Sequence, residues 1–413
     1  MSRIGPHGMH WRRPDQAQRS SGRLTNLQAT MNSLVHILAK VILFVTIFVT
    51  LAAPINADLL KLNGKTMGSY YAIVIDGAAE SNAAEIQTEI EAVLADVNRQ
   101  MSTWDPESEI SKFNQSDSID WFSVSPEFAM VVTASIRIHK LTGGAFDPTV
   151  APLIELWGFG ATRPKSFPTQ EAIDAARSNT GMQFIEVRQE PPSIRRTRSG
   201  ITLNLSALAP GHGTDRLSER LTQLGYPSHV VDIGGEVRTG IRKANGEKWR
   251  LGVESPLGGI RRVFECSEMS VSTSGNYRNY FVYKGMRYSH TIDPTTGQPV
   301  MNPPASVSVL SDSCMTADGL ATGLMVMGIE QGLQFAKQQG LSVLFLEVVD
   351  VETVVEHATG EFHAGAEFRM QPVAQNLADE QRPPFVAVLA IFLLAVTGTV
   401  VSLLARNREL TDR

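Results

Sequence analysis

Asp318 and Thr322 lie four residues apart within Met315–Gly328, a stretch in which Ala317, Leu320, Ala321 and Leu324 follow a helical period. That spacing puts a carboxylate and a hydroxyl on one helix face. A hard cation such as Mg2+ takes oxygen ligands of this kind, with substrate phosphates completing its shell. An acid near a helix start also complements the helix dipole, so the spacing alone admits either role. Thr316 is the expected N-cap. Elsewhere, Ser272–Phe281 and Tyr288–Pro299 crowd hydroxyls, His290 and Asp293 around turn signals, with Asp293–Gly297 itself a turn by its chemistry. A histidine at such a place serves as a base, a phosphate contact or a structural group. In Gly143–Val150, glycines permit close backbone approach and Asp147-Pro148 forces an extended or turning chain. The small, Gly-containing run Leu203–Asp215 leads into a helix, and backbone amides at such an entrance hold phosphate oxygens. Val231–Glu236 reads as a strand ending in paired glycines, suited to a ligand-facing turn or to a plain one.

The elements that would position these groups follow from periodicity. Ile86, Ile90, Val93, Leu94, Val97 and Met101 make an amphipathic helix after a strand at Tyr70–Ile75. A second helix begins at Ser125-Pro126-Glu127, an N-cap followed by proline, and stops near Gly143-Gly144. A third is expected over Thr214–Leu224, ended by Gly225. Strands are expected at Ser228–Ile233, Trp249–Val253, Val307–Leu310 and Ser342–Val349. The order does not alternate regularly, so the expected class is α+β, a single mixed catalytic domain over residues 58–368.

With 413 residues, 43% of them hydrophobic, the chain is long enough for a sizeable core, and a net charge of -5 excludes the basic footprint of a nucleic-acid binder. Two cysteines are too few for a disulfide framework or a cysteine-based metal site. The apolar run Val35–Ala53, followed by Pro54–Ala57, reads as an export signal cleaved after Ala57, or as an uncleaved transmembrane helix, within an N-terminal extension, residues 1–57. Residues 369–384 are polar and Pro-containing, as in a linker, and 385–405 are uncharged and apolar, long enough for a transmembrane helix. Arginines in the tail, 406–413, place that tail in the cytoplasm. The expected location is the inner membrane, with the catalytic body in the periplasm.

In their order the segments resemble the ApbE family of FAD:protein FMN transferases over roughly residues 65–349. The landmarks are Thr66-Met67-Gly68, Met101–Trp104, Gly144–Asp147, Leu156–Gly160, Asn204–Asp215, Ile233–Gly235, Ser272–Gly275, His290–Pro299 and Ala317–Gly328. The resemblance implies an ApbE-like catalytic domain with an FAD site lined by Met67, Trp104, Ala145, Phe146, Asp147, Asn204 and Ile292. It also implies Mg2+ held by Asp318 and Thr322, with the backbone carbonyls of Ala207 and Ala321 nearby. His290 would lie near the pyrophosphate, with His290 or Asp293 removing the proton of an acceptor hydroxyl. Pro210 stands where many members carry a lysine and cannot pair with phosphate through its side chain, which makes it a weak FAD contact. Asn204 replaces a frequent aspartate, and His212 a frequent tyrosine. The implied activity is transfer of FMN to a Thr or Ser of a membrane electron-transfer protein, with release of AMP. An FAD pyrophosphatase and a flavin-binding module without turnover are the competing readings.

Overall fold

A computed structural model of the chain describes residues 59–160, 167–277, 280–301 and 303–364. The expected export signal, linker and transmembrane segment fall outside them. Among the described residues no helix is long and apolar enough to cross a membrane.

The elements run β1 (Leu60–Thr66), β2 (Ser69–Ile75), α1 (Ala83–Met101), α2 (Glu109–Gln115), β3 (Phe122–Ser123), α3 (Pro126–Leu141), α4 (Ala151–Leu156) and α5 (Gln170–Arg177). Then come β4 (Ile185–Arg188), β5 (Ser193–Arg196), α6 (Ala209–Gln223), β6 (His229–Ile233), β7 (Glu236–Thr239), β8 (Trp249–Glu254) and β9 (Ile260–Cys266). The last part holds β10 (Ser270–Gly275), β11 (Tyr280–Tyr283), β12 (Met286–Ser289), β13 (Ser306–Ser311), α7 (Cys314–Gln339), β14 (Ser342–Val348), β15 (Val354–Ala358) and α8 (Glu361–Ala364). Eight strands form the main sheet in the order β1-β2-β6-β7-β10-β13-β14-β15, and every neighbouring pair is antiparallel. The class is therefore α+β, as the irregular order of elements indicates.

Two apolar clusters hold the helices on this sheet. Ile86, Ile90 and Leu94 of α1 and Leu217 and Leu221 of α6 bury against Tyr71, Ile73, Ile75, Val231 and Ile233 of β2 and β6. Ala317, Leu320, Ala321 and Leu324 of α7 pack between Val307 and Val309 of β13 and the α3 side chains Phe128, Val131, Val132 and Ile138. Burying side chains of this size contributes roughly 1.5–3 kcal/mol each, which is why α7 can lie so deep in the domain.

The expected strands and helices are present, with two corrections at helix starts. The helix expected from Thr214 begins at Ala209, with Pro210 in its first turn. Glycines 211 and 213 read as loop in sequence, yet a side chain at 211 would strike the backbone of α7: a Cβ there would sit 2.7 Å from the Cys314 carbonyl oxygen. Glycine is demanded by packing between two helices, not by a turn. Likewise α7 begins at Cys314, capped by Ser313, whose hydroxyl accepts from Thr316 N–H at 3.2 Å. Thr316 is inside the first turn. At its far end the buried part of α7 breaks at Gly328, where φ is 75°, the left-handed region that glycine alone enters readily.

Candidate active site

The start of α7 is fixed by a residue of α6. Asp215 accepts hydrogen bonds from Ser313 Oγ (2.9 Å), Cys314 N–H (2.9 Å) and Met315 N–H (3.1 Å), and pairs with Arg238 Nη1 at 2.5 Å. Its carboxylate thus satisfies donors that the first turn of any helix leaves without intrahelical partners. One turn further on, Asp318 Oδ2 accepts from Gly211 N–H at 3.2 Å. The close α6–α7 approach that Gly211 permits is what brings this amide within reach. Burial pushes the Asp318 carboxyl up to about 7, against the lowering effect of the Gly211 amide.

Asp318 opens onto a cavity of about 330 Å3. Of the residues singled out in the sequence, Ala145, Phe146, Asp147, Asn204, Ala207, His290, Ile292, Asp318 and Thr322 line it together. Thr322 Oγ1 lies 3.3 Å from Ser274 Oγ on β10, so α7 and the central sheet form one hydroxyl-rich wall. The loops at 145–148 and 204–207 form another: Asn204 N–H donates to the Pro148 carbonyl at 2.7 Å. Asn114 clamps the preceding residue in both directions, accepting from Leu203 N–H and donating to its carbonyl at 2.8 Å each. Within that wall Asp147 Oδ1 accepts from Thr149 N–H at 2.8 Å and from Thr149 Oγ at 2.5 Å, which fixes the loop after Phe146.

His290 arrives from the ribbon β11–β12. This ribbon is anchored by aromatic packing: Phe281 stacks on Tyr288 with ring centroids 5.2 Å apart, and Tyr288 stacks on Trp157 at 5.9 Å. Trp157 Nε1 in turn donates to the Gly297 carbonyl at 2.8 Å and pins the following turn. Asp293 belongs to that turn. Its carboxylate accepts from Thr295 N–H (2.8 Å) and Thr296 Oγ1 (2.9 Å), and it does not line the cavity.

Four other expected site residues lie away from the cavity lining. Trp104 is 79% exposed in the turn after α1. Met67, at a φ of 50° between β1 and β2, packs against both apolar clusters. Pro210 sits in the first turn of α6 and Ala321 is buried in the core. Conversely, the cavity contains Glu236, Ser274 and Ser206, to which sequence reasoning gave no individual role. Glu236 follows the paired glycines at the start of β7. Burial raises its carboxyl well above the usual range, with the charges of Asp318 and Asp232 adding to the effect.

One end of the cavity is thus acidic and rich in hydroxyls, while Phe146, Ile154, Ile292 and Met325 line it with apolar surface. The donor set at the acidic end consists of oxygens, and neither Asp318 nor Glu236 forms an ion pair among the described residues. These residues fit a hard divalent cation.

His212, beside Gly211, adds a pH dependence. It is 2% exposed, its Nε2 has no hydrogen-bond partner, and burial lowers its pKa from 6.5 to about 4, with the Arg216 charge acting in the same direction. A histidine held neutral in the fold contributes stability that is present above pH 6.5 and is lost as pH falls toward 4, about 3 kcal/mol in all. Urea unfolding of the wild type and His212→Leu at pH 7 and pH 4.5 should show a smaller acid loss in the variant; equal losses would refute this assignment.

A sequence model described as the ApbE family matches residues 67–345. The FAD:protein FMN transferase of Vibrio cholerae is 41% identical over 311 residues, spanning 74% of this chain and 92% of that one. Its counterpart of the same name in Haemophilus influenzae is 36% identical, spanning 70% and 87%. Among solved structures, the flavin transferase ApbE from Vibrio cholerae superimposes with a TM-score of 0.68 at 40% identity, covering 75% of this chain and 99% of that one. The apo flavinyl transferase ApbE of Pseudomonas stutzeri gives a TM-score of 0.68 at 34% identity, covering 74% and 96%.

Proposed function

The chain belongs to the ApbE family, and from that premise we infer that it is a transferase that moves FMN from FAD onto an acceptor protein. The observation that carries this reading is the single cavity on which Asp318, Thr322, His290 and the loops at 145–148 and 204–207 converge.

In the reaction, a Thr or Ser hydroxyl oxygen of the acceptor forms a bond to the FMN phosphorus of FAD. The bond from that phosphorus to the bridging oxygen breaks, and AMP leaves with the electron pair. Mg2+ would be held by Asp318 and Thr322, with Ala207 in the same cavity lining, and would supply charge neutralisation to the diphosphate. The chain's own residues do the rest. Phe146 and Ile292 offer apolar surface to a flavin or adenine ring. Asn204, whose Oδ1 accepts from Ser206 N–H at 2.9 Å, presents its amide to the sugar. His290 takes the hydroxyl proton. It is favoured over Asp293, whose carboxylate is committed to its turn. Residues 385–405 tether the body at the periplasmic face of the inner membrane, within reach of a membrane-bound electron-transfer acceptor.

The test is flavin fluorescence on the acceptor band after denaturing electrophoresis, with FAD and Mg2+ supplied. Label should appear, vanish with chelator, and fall at least tenfold in His290→Ala. In cells, an exported acceptor should be labelled and the same acceptor retained in the cytoplasm should not. Free FMN without labelled protein would identify a pyrophosphatase, and unchanged FAD a binding module. Wild-type labelling by His290→Ala would remove the histidine from its role.

A further inference from the structure

Glu236 stands at the acidic end of the cavity with no assigned task. It follows the Gly234-Gly235 turn at the start of β7, and its backbone carbonyl accepts from Thr214 Oγ1 at 3.1 Å, which fixes the strand against α6. Its side chain is 9% exposed, and the residue lines the cavity together with Asp318 and Thr322. Ser272, on the neighbouring strand β10, donates to Oε1 at 3.3 Å and holds the carboxylate in place. The carboxylate's other donor is the residue's own backbone N–H, and among the described residues no cationic side chain pairs with it. Arg238, two residues along the strand, is turned to Asp215 and does not compensate the charge. A carboxylate this buried, beside a second one equally without a cationic side chain, is costly unless something positive enters between them.

We propose that Glu236 is the second carboxylate of the divalent-cation site, so that Asp318 and Thr322 from α7 and Glu236 from β7 hold one ion from two sides. Sites of this chemistry use one or two carboxylates, and two anchored on different elements define the ion's position better than one. The proposal rests on the cation that the transferase reading requires, and it assigns a ligand beyond those the resemblance implies. It also gives Ser272 a task, orienting Glu236.

The experiment titrates the purified full-length chain with Mn2+, followed by its paramagnetic resonance signal, and records thermal unfolding with Mn2+ and with chelator. In Glu236→Gln the Mn2+ dissociation constant should rise about tenfold or more. The unfolding temperature in chelator should be equal to or above that of the wild type, because the amide is neutral and of the same shape and Ser272 keeps an acceptor. Glu236→Asp should recover binding to within about tenfold of the wild type, since it restores the charge on a shorter arm. Binding by Glu236→Gln within twofold of the wild type, with Asp318→Asn unable to bind, would overturn the role of Glu236 and leave the transferase reading intact. Wild-type binding in both variants would overturn the cation site itself. Lost binding together with a several-degree loss of stability in chelator would mark Glu236 as structural and would also overturn the proposal.

Discussion

Asp318→Asn should lower the rate of FMN transfer about a thousandfold at saturating FAD, the equivalent of about 4 kcal/mol of lost charge stabilisation at the diphosphate. The substitution keeps the shape of the side chain and an oxygen able to accept from Gly211 N–H, so helix packing should survive it. Stability in chelator should not fall, because burial already disfavours the charged form, as the rise of its pKa to about 7 indicates. A second role for this residue is an acid complementing the helix dipole. That effect fades within the first turn and amounts to about 0.3–1 kcal/mol of stability at exposed sites. Asp318 is the fifth residue of α7 and is 5% exposed, where a charge placed only for the dipole would lose more by desolvation than it gains. Single-turnover labelling as a function of Mg2+, together with thermal unfolding in chelator, separates the two roles. Transfer within threefold of the wild type at low Mg2+, with a drop in stability, would return Asp318 to the dipole role and remove the cation from the site.

Much of this site is legible in sequence because its parts are local. Asp318 and Thr322 share a helix face by spacing alone, and Ser125-Pro126 marks a helix start whose cap the structure contains, Phe128 N–H donating to Ser125 Oγ at 3.2 Å. What is not legible depends on partners distant in the chain. Gly211 looks like part of a loop until Cys314, about a hundred residues on, is seen to occupy the space of a side chain. Ser313 and Thr316 are equally good caps by type, and Asp215 decides between them by accepting from Ser313, Cys314 and Met315. Glu236 is a single acid at a strand start, a pattern without chemical meaning until the sheet order sets β7 beside β10. Trp104 shows the converse. An aromatic in a family-like segment suggests ring stacking, yet its side chain extends from a turn into solvent.

The dependence of α7 on Asp215 leads to the largest stability effect expected of a residue outside the cavity. Asp215→Ala removes the acceptor for two backbone N–H groups and one hydroxyl, and leaves Arg238 without its carboxylate. Loss of one partner of a buried pair costs about 3–5 kcal/mol. Arg238 is a quarter exposed and retains the Asp312 carbonyl at 2.6 Å, so solvent screening brings the figure down to about 3 kcal/mol. For a domain of this size that corresponds to a fall of about 5–10 °C in unfolding temperature. Ser313→Ala, which deletes the cap and spares the ion pair, should cost about 1 kcal/mol. Because Asp318 lies one turn beyond the tethered residues, Asp215→Ala should also weaken cation binding, and labelling measured well below the unfolding temperature should recover as Mg2+ is raised. Recovery is the mark of a positioning residue, since the ligands themselves are untouched. Were the unfolding temperature to drop with the Mg2+ requirement of transfer unchanged, Asp215 would hold the helix without aligning its carboxylate, and the link from α6 through the start of α7 to the site would be broken.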